Sequence, residues 1–240
     1  MKSNIVFLII VLGIFSFSCE PKLSAEAIVK KSLEEAHGGK AQWETYKILI
    51  YEKTTTLYDR FGKIELEKKQ KFYNTLQPKF TSKAIWKIDD EEKRIVFDGE
   101  QTFVFINGFQ VTDDEKVNVA HKEILGAQYV LWQPYKLLAD DVSLKLEGKV
   151  TLDDGNEAYK IKATYPESET VWWYYFDVKT FILKENVVKH GATYSQLKNI
   201  AQETKTGLRL HKERKSYMID STRNQKYLRA HYYYSILELK

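Results

Sequence analysis

The chain has 240 residues, of which 43% are hydrophobic, 14% aromatic and 29% charged, with a formal net charge of +4. That apolar content excludes a disordered polymer, and four prolines with eleven glycines leave no Pro/Gly-rich linker between separate domains. A charge this mild also argues against nucleic acid as a partner.

Export is read from the first residues. Met1-Lys2-Ser3-Asn4 is a short basic start, and Ile5 to Phe17 carries no charge. A spanning helix needs about 20 apolar residues; this run is shorter and ends at Glu20-Pro21-Lys22. Residues 1–18 therefore have the layout of a secretory signal peptide. Cys19 is the only cysteine, so no internal disulfide is available. Ser16-Phe17-Ser18-Cys19 resembles a lipobox in the small residue before the cysteine and departs from it at Ser16, where Leu is usual. The expectation is a lipidated Cys19, a tether over 19–23, and a single domain over 24–240. An ordinary signal peptide cut nearby would instead leave a free thiol.

Ser24 is placed to cap a helix that carries Ala25, Ile28, Val29, Leu33 and Ala36 on one face and stops at Gly38-Gly39. Trp43 and Tyr46 suggest a second short helical turn. From Ile48 the pattern is that of strands: 48–58, 63–73, 79–88, 94–97, 102–106 and 109–112. Asp59-Arg60-Phe61-Gly62, Asp98-Gly99-Glu100 and above all Asn107-Gly108 mark turns between them. Residues 115–138 have apolar side chains at spacings of three and four, predicting a helix broken near Pro134. Strands return at 144–152, 158–165, 170–176 and 181–188, with further segments around 194–202, 208–219 and 227–239. The expected fold is mostly β (α+β): a strongly curved antiparallel sheet or half-open β-barrel of about ten strands. An N-terminal helix and a mid-chain helical segment cover its open side, because a sheet this wide curls rather than staying flat.

Charge is unevenly spread. Between Lys205 and Lys240 nine basic residues face three acids, an excess of about +6. The preferred reading is solvated faces of edge strands, where lysine discourages aggregation; attraction to anionic head groups is the other.

Nothing in the chain has the spacing of a catalytic or metal motif. The five histidines (37, 121, 190, 211, 231) are scattered, and the acidic pairs 89–90, 113–114, 140–141 and 153–154 sit at turns. No enzyme, metal or cofactor is expected. Aromatic residues are the better lead. In Val171-Trp172-Trp173-Tyr174-Tyr175-Phe176, Trp172, Tyr174 and Phe176 point one way and Trp173 and Tyr175 the other. One face can pack on the core while the other lines a cavity. Candidate cavity residues are Tyr51, Phe103, Phe105, Trp132, Trp173 and Tyr175; the alternative is plain core with an aromatic exterior.

A lipoprotein-type signal, a helix ending in His37-Gly38-Gly39, Trp43 soon after, and an antiparallel meander together resemble a branch of predicted bacterial lipoproteins. That branch is similar in architecture to the LolA/LolB-like carriers of outer-membrane lipoproteins. Trp132-Gln133-Pro134-Tyr135 and Trp173-Tyr174-Tyr175-Phe176-Asp177 fit the same pattern. The resemblance implies a half-barrel whose helices lid a hydrophobic cavity, held at the outer membrane of a Gram-negative bacterium. The leading functional expectation is a membrane-anchored, monomeric lipoprotein that binds a lipid or lipidated chain. The alternative is a packed interaction or scaffold lipoprotein that docks a protein or glycan through exposed aromatics such as Trp172.

Overall fold

The computed structural model describes residues 23–166 and 168–240. The signal segment and Cys19 lie outside these residues. Helix α1 (Ala25–Lys31) starts where expected: Ser24 Oγ accepts a hydrogen bond from the Ala27 N–H at 3.1 Å. It widens into a π turn over Ser32–Ala36, and α2 (Lys40–Trp43) follows.

Six strands come next: β1 (Ile48–Tyr58), β2 (Ile64–Thr75), β3 (Thr81–Ile88), β4 (Glu91–Phe97), β5 (Thr102–Ile106) and β6 (Phe109–Val111). Helix α3 (Asp114–Leu131) and a 3₁₀ turn (Tyr135–Leu138) lead to seven more: β7 (Ser143–Thr151), β8 (Glu157–Thr164), β9 (Val171–Asp177), β10 (Leu183–His190), β11 (Thr193–Glu203), β12 (Leu210–Ile219) and β13 (Gln225–Leu239). All thirteen belong to one antiparallel sheet, in the order β6-β5-β4-β3-β2-β1-β13-β12-β11-β10-β9-β8-β7. The sheet is curved and unclosed. Its thirteen strands exceed the expected total of about ten, although each of the thirteen segments read from the sequence falls on one of them. Asn107 and Gly108 both take positive φ (50° and 84°), as do Asp89 and Asp90 (49° and 63°), the backbone a two-residue hairpin turn requires.

Two meanders, β1–β6 and β7–β13, are thus joined edge to edge by α3 and again at the centre by the β1–β13 pair. Asp113 caps α3, its Oδ1 accepting from the Lys116 N–H at 3.0 Å. The helix ends at Leu131, and Leu137 Cα belongs to the separate 3₁₀ turn. The central position of β13 corrects the edge-strand reading of the basic C-terminal region, since the edges are β6 and β7. Several of those cations are spent inside the fold: Arg223 pairs with Glu185, Arg229 with Glu65, and Arg209 Nε donates to the Ala36 carbonyl at 2.7 Å.

Alternation along the strands sorts side chains onto two faces. On the helix-covered face one cluster, beneath α3, holds Trp43, Tyr51, Phe72, Ile124, Leu131 and Trp132. A second, beneath α1, holds Ile28, Val29, Ile161, Tyr174, Phe176 and Leu183. The opposite face carries a small third cluster of Leu152, Ala158, Tyr175, Val187 and Ile219.

His37-Gly38-Gly39 and Trp43 form the joint between helices and sheet. The Trp43 indole N–H donates to the His37 carbonyl at 2.7 Å, and the ring meets Trp132 edge-to-face at 4.6 Å. Gly38 has φ +99°, and a Cβ there would come within 2.6 Å of the Gly207 carbonyl oxygen. Only glycine fits such an approach of two backbones. The joint seats α1 and α2 against the β11–β12 turn.

Candidate functional site

Between the first half of α3 and strands β3–β5 lies an open groove of ≈ 550 Å³, within the range of about 300–1,000 Å³ typical of ligand pockets. Its floor is Trp86, Ile95, Val104 and Ile106, and its helix wall is Val119 and Ala120. The register explains the floor: Ile95 pairs with Val104 and Lys93 with Ile106, so one face of three neighbouring strands looks towards α3. Val119 is 61% exposed, a large aliphatic that the protein itself leaves uncovered. Lys93, Asp113, Glu115 and Lys116 make a charged rim around this apolar floor.

The inner end of the groove is polar. Glu123 of α3 accepts from Lys68 Nζ at 2.6 Å and from Gln70 Nε2 at 3.0 Å. Burial works against the Glu123 charge, but Lys68 and Gln70 hold its carboxyl below the ordinary carboxylate range. The Lys68 ammonium also stands 5.1 Å from the Trp86 ring.

Deeper on the same face, Lys53 of β1 lies opposite Gln70 and Tyr234. Its side chain is partly exposed on this face. Burial lowers its pKa to about 8, with the Lys68 charge adding to the effect. The ammonium is still protonated at neutral pH. Arg214 of β12 is 1% exposed. Its guanidinium donates to two carboxamides, Asn199 Oδ1 at 2.8 Å and Asn186 Oδ1.

The six cavity residues expected from the sequence do not converge. Tyr51 and Trp132 are buried in the first cluster, Tyr51 stacked on Phe72 at 4.7 Å. Phe105 borders the groove, although its ring carries the Arg94 guanidinium at 4.4 Å on the other side of the sheet. Phe103 sits opposite Val96 on that same outer side, half-buried. Trp173 and Tyr175 pack in or against the third cluster, away from the helices. Trp172 stacks on Tyr174 (6.1 Å between centroids) at the second cluster and so is no exposed anchor. Sequence reasoning passed over the groove because Ile95, Val104, Ile106 and Val119 are ordinary aliphatics. The one signal in the sequence is Val119, an apolar residue among Lys116, Asn118 and Lys122 on a helix.

The acidic pairs do turn and cap chemistry. Asp154 Oδ1 accepts from the Asn156 N–H at 3.1 Å, and Asp113 caps α3. Among the described residues no cluster of His, Cys, Asp and Glu has metal-binding geometry, and no helix is long and apolar enough to cross a membrane.

Solved structures share this arrangement across almost its whole extent. A LolA superfamily protein from Nitrosomonas europaea superposes with a TM-score of 0.55 at 12% identity, covering 91% of this chain and 94% of its own. The architecture is LolA-like. A DUF1329 family protein from Desulfovibrio piger gives 0.55 at 11% identity, covering 90% and 92%. A domain from Vibrio parahaemolyticus, inferred to act in outer membrane lipoprotein sorting, gives 0.51 at 8% identity, covering 90% and 91%. At these identities the likeness is one of fold. No family model matches the chain, and no curated protein matches it.

Proposed function

We propose that this protein is a lipoprotein, tethered to the outer membrane through Cys19, that binds the apolar part of a lipid or lipidated chain in the groove between α3 and β3–β5. The observation that carries this reading is the groove itself: an uncovered apolar floor and wall, rimmed by charge, on the helix-covered face of a LolA-like half-barrel. A dozen CH₂ groups moved from water into it would contribute on the order of 10 kcal/mol before ordering costs. The neighbours from Vibrio parahaemolyticus and Nitrosomonas europaea support a carrier role for this architecture without assigning a cargo. The chemistry is binding and release, performed by one monomer.

The test is native mass spectrometry of the purified protein, followed by organic extraction. The expected result is a bound species in the lipid mass range that extraction removes and that Val104→Trp, which fills the groove, prevents. A clean mass with no adduct, in protein purified without detergent exchange, would overturn the proposal.

A further inference from the structure

The centre of the helix-covered face holds more hydrogen-bond donors and positive charge than its own residues satisfy. Lys53, Lys68 and Arg214 approach one another there, and the carboxylate among them is Glu123, already bonded to Lys68 and Gln70. Among the described residues, neither Lys53 nor Arg214 has a carboxylate within salt-bridge distance. Arg214 is buried against two neutral carboxamides, although a buried charge is costly unless it is paired.

The neutral groups around them repeat the imbalance. Asn186 gives its Oδ1 to Arg214, which turns its Nδ2 away, and that buried donor has no partner among the described residues. Tyr51 Oη, two residues from Lys53 along the same strand face, is likewise buried and without a partner among the described residues. Such groups are costly when left unsatisfied. The cations face the tyrosine rings of β13: Lys53 Nζ stands 5.2 Å from the Tyr232 centroid. Half-buried Leu57 and Leu66, paired across β1 and β2, continue the surface as apolar. Among the described residues Lys53 and Arg214 have no carboxylate partner and Asn186 Nδ2 no acceptor, and apolar surface adjoins them.

Resting on the ligand-binding reading above, we propose that Lys53, with Arg214, Tyr51 and Asn186 behind it, receives the acidic group of an amphiphile, a carboxylate or a phosphate. The apolar groove under α3 takes the chain of the same molecule. An anion supplies several acceptor lone pairs at once and neutralises the excess charge, and hydrogen bonds to charged groups are the strong ones. A neutral lipid has neither property. The protein therefore discriminates by head-group charge as well as by chain.

The experiment uses the full chain in nanodiscs of zwitterionic lipid and a long-chain fatty acid bearing a diazirine, alongside its methyl ester. Both probes partition into the disc, so labelling is scored by mass spectrometry on peptides containing β1–β5 and α3 relative to peptides elsewhere. The expected result is at least about tenfold stronger labelling of that face by the acid than by the ester, as one charge-assisted contact gives. Lys53→Met should remove the preference and Lys53→Arg retain it; neither change breaks a bond within the described residues. Unlabelled phosphatidic acid competing as well as fatty acid extends the site to phosphates, whereas competition by fatty acid alone restricts it to carboxylates. Equal labelling of the face by acid and ester, or an acid preference unchanged in Lys53→Met, would overturn this inference and leave the groove intact. No labelling of the face by either probe would overturn the groove as well.

Discussion

Removing Trp43 tests whether the joint between helices and sheet is what holds the half-barrel together. The indole is 1% exposed, meets Trp132 edge-to-face at 4.6 Å, stacks on Tyr135 at 5.9 Å and donates to the His37 carbonyl at 2.7 Å. Trp43→Ala deletes a buried ring, for which core truncations cost about 3–5 kcal/mol. It also leaves a buried carbonyl without a donor, at about 1–3 kcal/mol. We expect a loss of about 4–8 kcal/mol. Trp43→Phe keeps an aromatic in the site but still strands the carbonyl, so it should cost about 2 kcal/mol. In thermal unfolding, at about 2–4 °C per kcal/mol for a chain of this size, the alanine variant should melt at least about 8 °C lower. The phenylalanine variant should fall roughly midway. A double-mutant cycle with Trp132→Ala should return a coupling of about 0.5–1.5 kcal/mol. An alanine variant that melts within about 2 °C of the parent would refute the reasoning, as would a cycle with no coupling.

Stability should fall on mild acidification. Burial lowers the His37 pKa to about 4 and pushes His211, whose two ring nitrogens have no partners among the described residues, well below its ordinary value. The unfolded imidazoles take up protons near pH 6.5, before the folded ones do. Stability is therefore full above that pH and lost as pH drops towards 4, with about 2 kcal/mol gone by pH 5 from His37 alone; a urea midpoint unchanged between pH 7 and pH 5 would contradict this. Gly38→Ala meets both a positive φ and the Gly207 carbonyl, so it should cost about 2–4 kcal/mol. Gly108→Ala has the same sign of φ but open space around it and should cost only about 1 kcal/mol, and equal losses in denaturant titrations would deny the close approach. Val119→Asp places a charge on the groove wall of an exposed helix position. It should reduce co-purifying lipid severalfold while shifting stability by no more than about 0.5 kcal/mol.

Local chemistry was legible in the sequence, and long-range chemistry was not. Asn107-Gly108, Asp59 to Gly62 and Ser24 act within four residues of themselves, so strand and helix limits near them were readable to within a residue or two. The resemblance to LolA-like carriers gave the half-barrel. The pairing of β1 with β13 joins Leu49 to Leu239, a contact no local pattern announces, and without it the basic C-terminal strands looked like edges. Alternation divided Trp172 and Tyr174 from Trp173 and Tyr175 correctly, yet it carries no information about which face the helices cover. Lys53 and Arg214 looked like any other cations of a chain that has 37 of them, and only the register brought them onto one concave surface.

The β1–β13 pair also fixes an order of events. The Lys47 and Ile48 N–H groups donate to the Lys240 carbonyl, so the first strand is completed by the final residues of the sheet. Until β13 is delivered, β1 is a bare eleven-residue edge and the meander β1–β6 has two open sides instead of one. Such an edge is a template for the wrong partner, and contacts this remote in sequence form late and slowly. A shortened chain lacking β13 would therefore expose β1 and β12 together and split one sheet into two halves joined only through α3. The molecule's weak point during synthesis is its centre, the place that becomes best protected once folding is finished.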